Sequence, residues 1–422
     1  MRPVPGVLPM VATLVRAGFR RVAVPSANVA EAELVAGVEV AGVDGLDDAA
    51  RLVAGPRGRR AAAASRRTSV QVSVGAGDSP NAGAGGEPGN SVASPGGGQP
   101  AAAGTVDLAD VRGQAHARWA LEIAIAGGHN LLLIGPPGAG KTLLARTIPG
   151  LLPPLDDAEA LEVTVIESVA GMLREPGLRR LRPFRSPHHT ISYAALVGGG
   201  PRIAPGEVTL AHRGVLFLDE LAEFDRNVLD ALRQPLEDGS VDIARANGHV
   251  RYPARVQLVA AMNPCRCGHY GDPVRACRCP NGDPERYVRR VSGPLLDRLD
   301  LRVEMPRVPP EELITGPPGE SSASVSLRIA AARRLALERN LGRVNADLVG
   351  GSVVRASRLT PIAERLIEDL AQRNGMSARG VHRTLRVART IADLAGRPTV
   401  VEEDLLAAVG LRDPGSGLLL AA

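Results

Sequence analysis

Residues 135–142 read Gly135, Pro136, Pro137, Gly138, Ala139, Gly140, Lys141, Thr142, the spacing G-x-x-x-x-G-K-[ST]. In a strand–loop–helix setting that spacing cradles phosphates in backbone amides. The setting is present: the apolar run 131–134 precedes the loop, and a helical pattern opens at about Lys141. Lys141 is the only lysine of the chain, and every other one of the 50 basic residues is arginine. A narrow nest of amides around a triphosphate has room for a compact ammonium on a flexible stem, but not for a planar guanidinium. Arginine replaces lysine freely where the cation is solvated, and it cannot do so here. The loop predicts ATP as ligand, with the Thr142 hydroxyl on Mg2+.

A triphosphate site that hydrolyses needs an acid partner. Residues 213–221, RGVLFLDEL, read as a buried strand ending in Asp219 and Glu220. Asp219 is expected to hold Mg2+ through water and Glu220 to act as general base on the attacking water. A third apolar strand, VQLVAAMNP (256–264), ends in Asn263, which could orient the same water. Arg298 stands just before a further strand, where, in a ring of subunits, an arginine can reach a neighbour's γ-phosphate. Arg379 lies at a helix start with Arg383 one turn on, and either could touch the γ-phosphate from a helical lid.

Three further stretches carry possible chemistry. Cys265, Cys267, Cys277 and Cys279 form C-x-C, nine residues, C-x-C. Four thiolates could hold a tetrahedral structural Zn2+, although the usual C-x-x-C spacing is missing; free thiols and disulfides stay open alternatives. Residues 238–257 alternate as two strands around Asn247 and Gly248, a strong hairpin-turn signal. Arg245 and Arg251 flank that turn and could grip DNA phosphates without reading sequence; the alternative is a hairpin with solvated arginines. His188 and His189 sit in the loop RPFRSPHHTIS, where packing or surface exposure is the simpler role. Gly198 to Gly200 suggest a mobile loop.

These residues need elements to hold them. Residues 1–54 alternate short helix and strand patterns, too little chain for a stable α/β domain of their own. Residues 55–104 are rich in Gly, Ala, Ser and Pro and read as a flexible linker. An α/β domain is expected over 105–308, a second linker over 309–325, a helical domain over 326–412 and a tail over 413–422. Thr360 before Pro361 reads as an N-cap, and Thr399 with Glu402 as a capping box. The chain has 422 residues, 44% hydrophobic, 2% aromatic, with a net charge of +5, which permits nucleic acid as partner without demanding it. No run approaches a membrane span, and four clustered cysteines suit a reducing cytoplasm.

The order of P-loop, Asp-Glu strand, Asn strand, Arg before a strand and a helical domain with an Arg at a helix start resembles an AAA+ ATPase. The stretches GQAHARWALEIAIAGGHNLLLIGPPGAGKT, FRSPHHTISYAALVGGG, PGEVTLAHRGVLFLDELAEF, AAMNPCRCGHYGDP and SGPLLDRLDL are similar to the magnesium-chelatase-like YifB/ComM family, over about 105–412. The resemblance implies an α/β AAA+ P-loop core with a C-terminal helical lid, and for residues 1–54 the end of an N-terminal Lon-protease-like domain whose front is missing. It implies a homo-oligomeric ring, a hexamer, that turns ATP hydrolysis into movement on DNA, as a helicase for branch migration. A chelatase motor driving Mg2+ into a porphyrin through a partner, and an ATP-dependent switch without translocation, are the competing readings. Lon-type proteolysis fails on chemistry, because its Ser–Lys dyad needs a lysine and the only one is on the P-loop.

Overall fold

The computed structural model describes residues 1–52, 106–173, 177–200, 203–245 and 248–412. The expected linker at 55–104 and the tail at 413–422 lie outside the described residues. The chain divides into two compact units: 1–97 with 164–178, and 98–163 with 179–422.

The first unit holds the helix Val7–Arg16 and two parallel strands, β1 (Arg21–Pro25) and β2 (Glu39–Val43), joined through the short helix Val29–Ala32. Its core is small: Val7, Val11, Val24 and Ala32. Ser168, from the inserted segment, accepts the Gly6 N–H at 2.9 Å through its carbonyl and donates its hydroxyl to Glu31.

The second unit contains β3 (Leu131–Ile134), β4 (Phe184–Arg185), β5 (Gly198–Gly199), β6 (Ala204–Pro205), β7 (Val215–Leu218), β8 (Ser240–Arg245), β9 (Gly248–Pro253), β10 (Gln257–Met262) and β11 (Leu301–Glu304). Five of them form one parallel sheet in the order β11-β3-β10-β7-β4. Alternate side chains of a strand point to opposite faces. Leu131, Leu133, Val215, Phe217, Val259 and Ala261 accordingly join one core, while Leu132, Ile134, Leu216, Leu218, Leu258 and Met262 join the other. Burial on both faces is why these strands read as continuous apolar runs rather than as alternation. The first face is covered by the helix Ala115–Gly127 and by the C-terminal helices Ser322–Arg339 and Ala378–Leu394. β8 and β9 pair as an antiparallel hairpin beside the second face, with Val241 and Ile243 in its core.

Two local expectations change. The segment 309–325 holds the helix Pro310–Thr315, with Pro310 at its first turn and Glu311 and Glu312 against the positive end of its dipole. Thr399 does not cap the last helix. Val400 donates to the carbonyls of Ser357 and Arg358 and forms a bridge with Leu359, which keeps it extended. The helix Glu402–Gly410 therefore starts later, and Asp404 accepts the Val401 N–H at 3.0 Å. Thr360 does cap the helix Pro361–Arg373, accepting the Ala363 N–H at 3.2 Å.

Candidate functional site

Parallel strands deliver their following residues to one edge of a sheet, and here that edge collects the phosphate chemistry. The loop 135–140 leaves β3, Asp219 leaves β7 and Asn263 leaves β10, three neighbours in the sheet. Gly138 and Gly140 take φ of 81° and 91°, the left-handed region that side chains avoid, and the chain turns there into the helix Lys141–Arg146. Pro136, Pro137 and Ala139 complete the loop, and Ala139 is buried against the core.

Lys141 is 9% exposed. Its Nζ donates to the carbonyls of Gly135 at 2.6 Å and Pro136 at 3.0 Å, and to Oδ1 of Asn263 at 3.1 Å. Burial pulls its pKa down to about 8, against the opposing pull of Asp219 and Glu220. A cation so placed lacks a strong anionic partner, and a phosphate would supply one. Thr142 Oγ1 donates to Asp219 Oδ2 at 2.6 Å. A hydroxyl and a carboxylate brought together are hard oxygen ligands of the kind Mg2+ takes. The residues therefore fit Mg2+, with Thr142 and Asp219 to hold it and the phosphate oxygens to complete it.

Glu220 follows in left-handed backbone, φ 54°, and its N–H donates to Asp219 Oδ1 at 2.9 Å. Its carboxylate meets His189, Nδ1 to Oε2 at 3.1 Å. The histidine loop gives no sequence sign of this contact, because His189 and Glu220 are 31 positions apart and neither sits in a spacing that pairs them.

Beside the loop lies a cavity of about 400 Å³ lined by Val111, Arg112, Gln114, Leu143, Val308 and Leu313, among others. Gln114 donates to the carbonyls of Ala139 at 3.1 Å and Pro306 at 2.6 Å, tying this cavity to the P-loop. Sequence reasoning missed these residues. Leu313 belongs to the segment read as linker, and its first-turn glutamates after Pro310 were the available signal.

The four cysteines come together, with Sγ separations of 3.4 Å for Cys265–Cys267, 3.7 Å for Cys265–Cys277 and 3.6 Å for Cys267–Cys277, and with Cys279 in the same cluster within 4.8 Å. None is in a disulfide. Tetrahedral Zn2+ with bonds of about 2.3 Å requires sulfurs about 3.8 Å apart, so the residues fit that ion. Burial lifts the Cys265 thiol to about 12. Burial also opposes ionisation of Cys267, but N–H groups of Arg278 and His269 lower it to about 6. The cysteine loop rests on the phosphate loop: a methyl at Gly268, φ 82°, would lie 2.5 Å from Pro137 Cδ. Asp272 anchors it by pairing with His269 and Arg307, each at 3.2 Å.

Other expected residues lie elsewhere. Leu301 of β11 pairs with Leu131, so Arg298 sits at the N-terminal edge of the sheet, away from the chain's own phosphate loop. Its guanidinium meets Glu237 and donates to the Pro294 carbonyl at 2.6 Å. Arg379 is exposed on the first turn of its helix, and Arg383 one turn on reaches Asp297. Arg379 is thus on the Arg298 side, and the structure does not bring it to its own P-loop. Arg251 donates to Ser240 Oγ at 3.0 Å and lies 3.9 Å from Asp242, its cross-strand partner. Arg245 ends β8, and its side chain and the turn residues 246–247 lie outside the described residues.

The family model for magnesium chelatase, subunit ChlI, matches residues 107–313, and the model for its C-terminal part matches 319–412. An uncharacterized protein of Mycobacterium tuberculosis is 44% identical over 421 residues, 99% of this chain and 77% of its own length. Competence protein ComM of Haemophilus influenzae is 47% identical over 309 residues, covering 73% of this chain and 60% of that protein. YifB of Escherichia coli is 48% identical over 307 residues, with 72% and 60% covered. The chain belongs to the magnesium-chelatase-like AAA+ ATPases of the YifB/ComM type.

Proposed function

We propose that this chain is the subunit of an ATP-driven ring, a homo-hexamer, that translocates on DNA and promotes strand exchange at branched junctions. The observation that carries the ATPase half is the convergence of Lys141, Thr142, Asp219 and Asn263 on one sheet edge. Lys141 and the amides of the loop hold the triphosphate, and Thr142 and Asp219 hold Mg2+, which offsets charge on the phosphates. Asn263, already on the Lys141 ammonium, orients water, and Glu220 takes its proton.

The position of Arg298 on the opposite edge supports a ring. An arginine unable to reach its own phosphates is suited to a neighbour's, because a head-to-tail interface brings one subunit's N-terminal sheet edge to another's nucleotide. Arg379, on the same side, belongs to that reading as a second contact in trans. The β8–β9 hairpin, with Arg245 and Arg251, is the DNA-facing element, and its contacts are electrostatic. Asp242 offsets part of the Arg251 charge. Zn2+ on Cys265, Cys267, Cys277 and Cys279 is a structural pin for the loop behind Pro137. The name of the Haemophilus relative, a competence protein, agrees with DNA as substrate.

Steady-state ATP hydrolysis with and without a forked duplex or four-way junction tests this reading. Strong stimulation by junction DNA is expected. ATPase activity indifferent to DNA would overturn translocation and favour a chelatase-type motor or a switch. Among the described residues no helix is long and apolar enough to cross a membrane. A cytoplasmic location belongs to the same proposal.

A further inference from the structure

The chain has four cysteines, and all four lie in the loop after Asn263. An oxidant of thiols therefore has one target in this molecule, and that target adjoins the phosphate site twice. Cys265 is two residues beyond Asn263, whose Oδ1 accepts from the Lys141 ammonium at 3.1 Å. Cys267 precedes Gly268, whose backbone lies on the Pro137 ring: a Cβ there would meet Cδ at 2.5 Å and Cγ at 2.7 Å. Atoms packed that closely pass a displacement on, because no void absorbs it.

The sulfurs differ in access. Cys265 is fully buried, while Cys267, Cys277 and Cys279 are half-buried and open to a small oxidant from solvent. Cys267 and Cys277 belong to opposite C-x-C arms, with sulfurs 3.6 Å apart, and the Arg278 N–H reaches across to the Cys267 sulfur. A disulfide requires that separation to close to about 2.05 Å. Tetrahedral Zn2+ requires all four sulfurs at about 3.8 Å from one another. The bonded pair and the zinc site therefore exclude each other.

We propose that the Cys267–Cys277 pair is a site of oxidative modification by peroxides, and that its closure weakens ATP binding at the adjoining phosphate loop. This rests on the readings of the phosphate loop as the ATP site and of the cluster as a zinc site. The Cys267 thiolate attacks one oxygen of hydrogen peroxide, the O–O bond breaks, and a sulfenic acid forms as hydroxide leaves. The Cys277 thiolate then attacks the sulfenic sulfur, the S–S bond forms, and the second oxygen leaves as hydroxide. Two protons from solvent convert both hydroxides to water. Each sulfur gives up one electron, and the peroxide takes up two. Cys265 and Cys279, the two thiolates left, are too few to retain Zn2+. The loop loses its pin, Gly268 shifts against Pro137, and Asn263 is drawn from the Lys141 ammonium.

The experiment treats the full chain, reduced and supplied with zinc chloride, with hydrogen peroxide. It reads three quantities: zinc released to a chromogenic chelator, disulfides mapped by peptide mass spectrometry, and affinity for a fluorescent ATP analogue. The expected result is a Cys267–Cys277 disulfide, release of the zinc, and ATP binding weakened about tenfold, as for the loss of a charge-assisted hydrogen bond. Dithiothreitol with zinc chloride restores all three. Cys267→Ser with Cys277→Ser starts at the weakened affinity, and peroxide moves it no further. A Cys267–Cys277 disulfide that leaves ATP affinity at the reduced value overturns the proposal. So does a peroxide treatment that bonds no pair, or bonds a different one. So does a loss of affinity that dithiothreitol fails to reverse, or that recurs in the double variant, since the lesion then lies outside these thiols. Reduced chain that binds ATP but takes up no zinc removes the ion alone, and the disulfide and the affinity still decide the thiol pair. Reduced chain that binds no ATP ends the phosphate-loop reading and this proposal with it.

Discussion

At the scale of the residue, Lys141 shows what a composition bias can and cannot change. Its ammonium fits among two loop carbonyls and an Asn263 oxygen, all within 3.1 Å. A guanidinium in that space must leave at least one of those acceptors or push the loop apart. Lys141→Ala is expected to weaken ATP binding about a hundredfold, since it removes charge-assisted bonds to phosphate, and Lys141→Arg to fare little better. Titration with a fluorescent ATP analogue measures both, and near-parent affinity in Lys141→Arg would refute the steric argument. The ionisation gives a second prediction. Burial holds Lys141 at about 8, below the ordinary 10.5, so the folded chain releases this proton before the unfolded chain does. The cost of burying the ammonium is present in full below about pH 8 and is relieved as pH rises towards 10.5. Binding runs the other way. Phosphate favours the charged form, so ATP affinity should hold up to about pH 8 and then fall by up to about tenfold per unit. Calorimetry in two buffers of different ionisation enthalpy should detect proton uptake on binding above that pH. Affinity constant to pH 10 would mean that the lysine is not the titrating group.

At the scale of the element, the strands and the loop between β3 and its helix were readable because both depend on local sequence: four apolar residues buried on both faces, glycines where φ is positive, one lysine. The position of Arg379 was not readable, because it depends on how the helix Ala378–Leu394 packs across the sheet, which Arg383 on Asp297 settles from a distance of 86 residues. The pairing of His189 with Glu220 is likewise a product of tertiary packing. The Thr399 box failed for a smaller reason, the bridge at Val400, whereas the Thr360 cap needed nothing beyond its own turn. Thr360→Ala should destabilise the helical domain by about 1 kcal/mol, read from urea unfolding followed by circular dichroism. The cysteine loop mixes both cases. The spacing exposes four thiols, but only the fold shows that they converge and that Gly268 lies on Pro137. Purified chain should carry one zinc per subunit by atomic absorption. Cys267→Ser with Cys277→Ser should lose it, lower the melting temperature by about 5 °C and weaken ATP binding through the loosened phosphate loop. A double variant that melts and binds ATP as the parent does would make the cluster unrelated to the ATPase.

At the scale of the whole molecule, the sheet's polarity separates the residues of the reaction. Lys141, Asp219, Glu220 and Asn263 stand at one edge, and Arg298 stands at the other, held by Glu237. In the proposed ring, a subunit built this way carries half of two active sites. That division predicts the outcome of a mixing experiment between two inactive variants. Lys141→Ala subunits, which bind ATP about a hundredfold more weakly, lack a working nucleotide site but retain Arg298, and Arg298→Ala subunits bind nucleotide but offer no finger. In a ring assembled at random from equal amounts, a site is intact only where an Arg298→Ala subunit receives its arginine from a Lys141→Ala neighbour. That is about one junction in four for a head-to-tail interface, so the mixture should recover up to about a quarter of the parent ATPase rate. Each variant alone should stay near zero at every concentration. An arginine acting within its own chain predicts no recovery, because neither variant then holds a complete site. Dilution of the parent offers an independent reading of the same division: turnover per subunit should fall as the rings dissociate, while nucleotide binding by separated subunits persists.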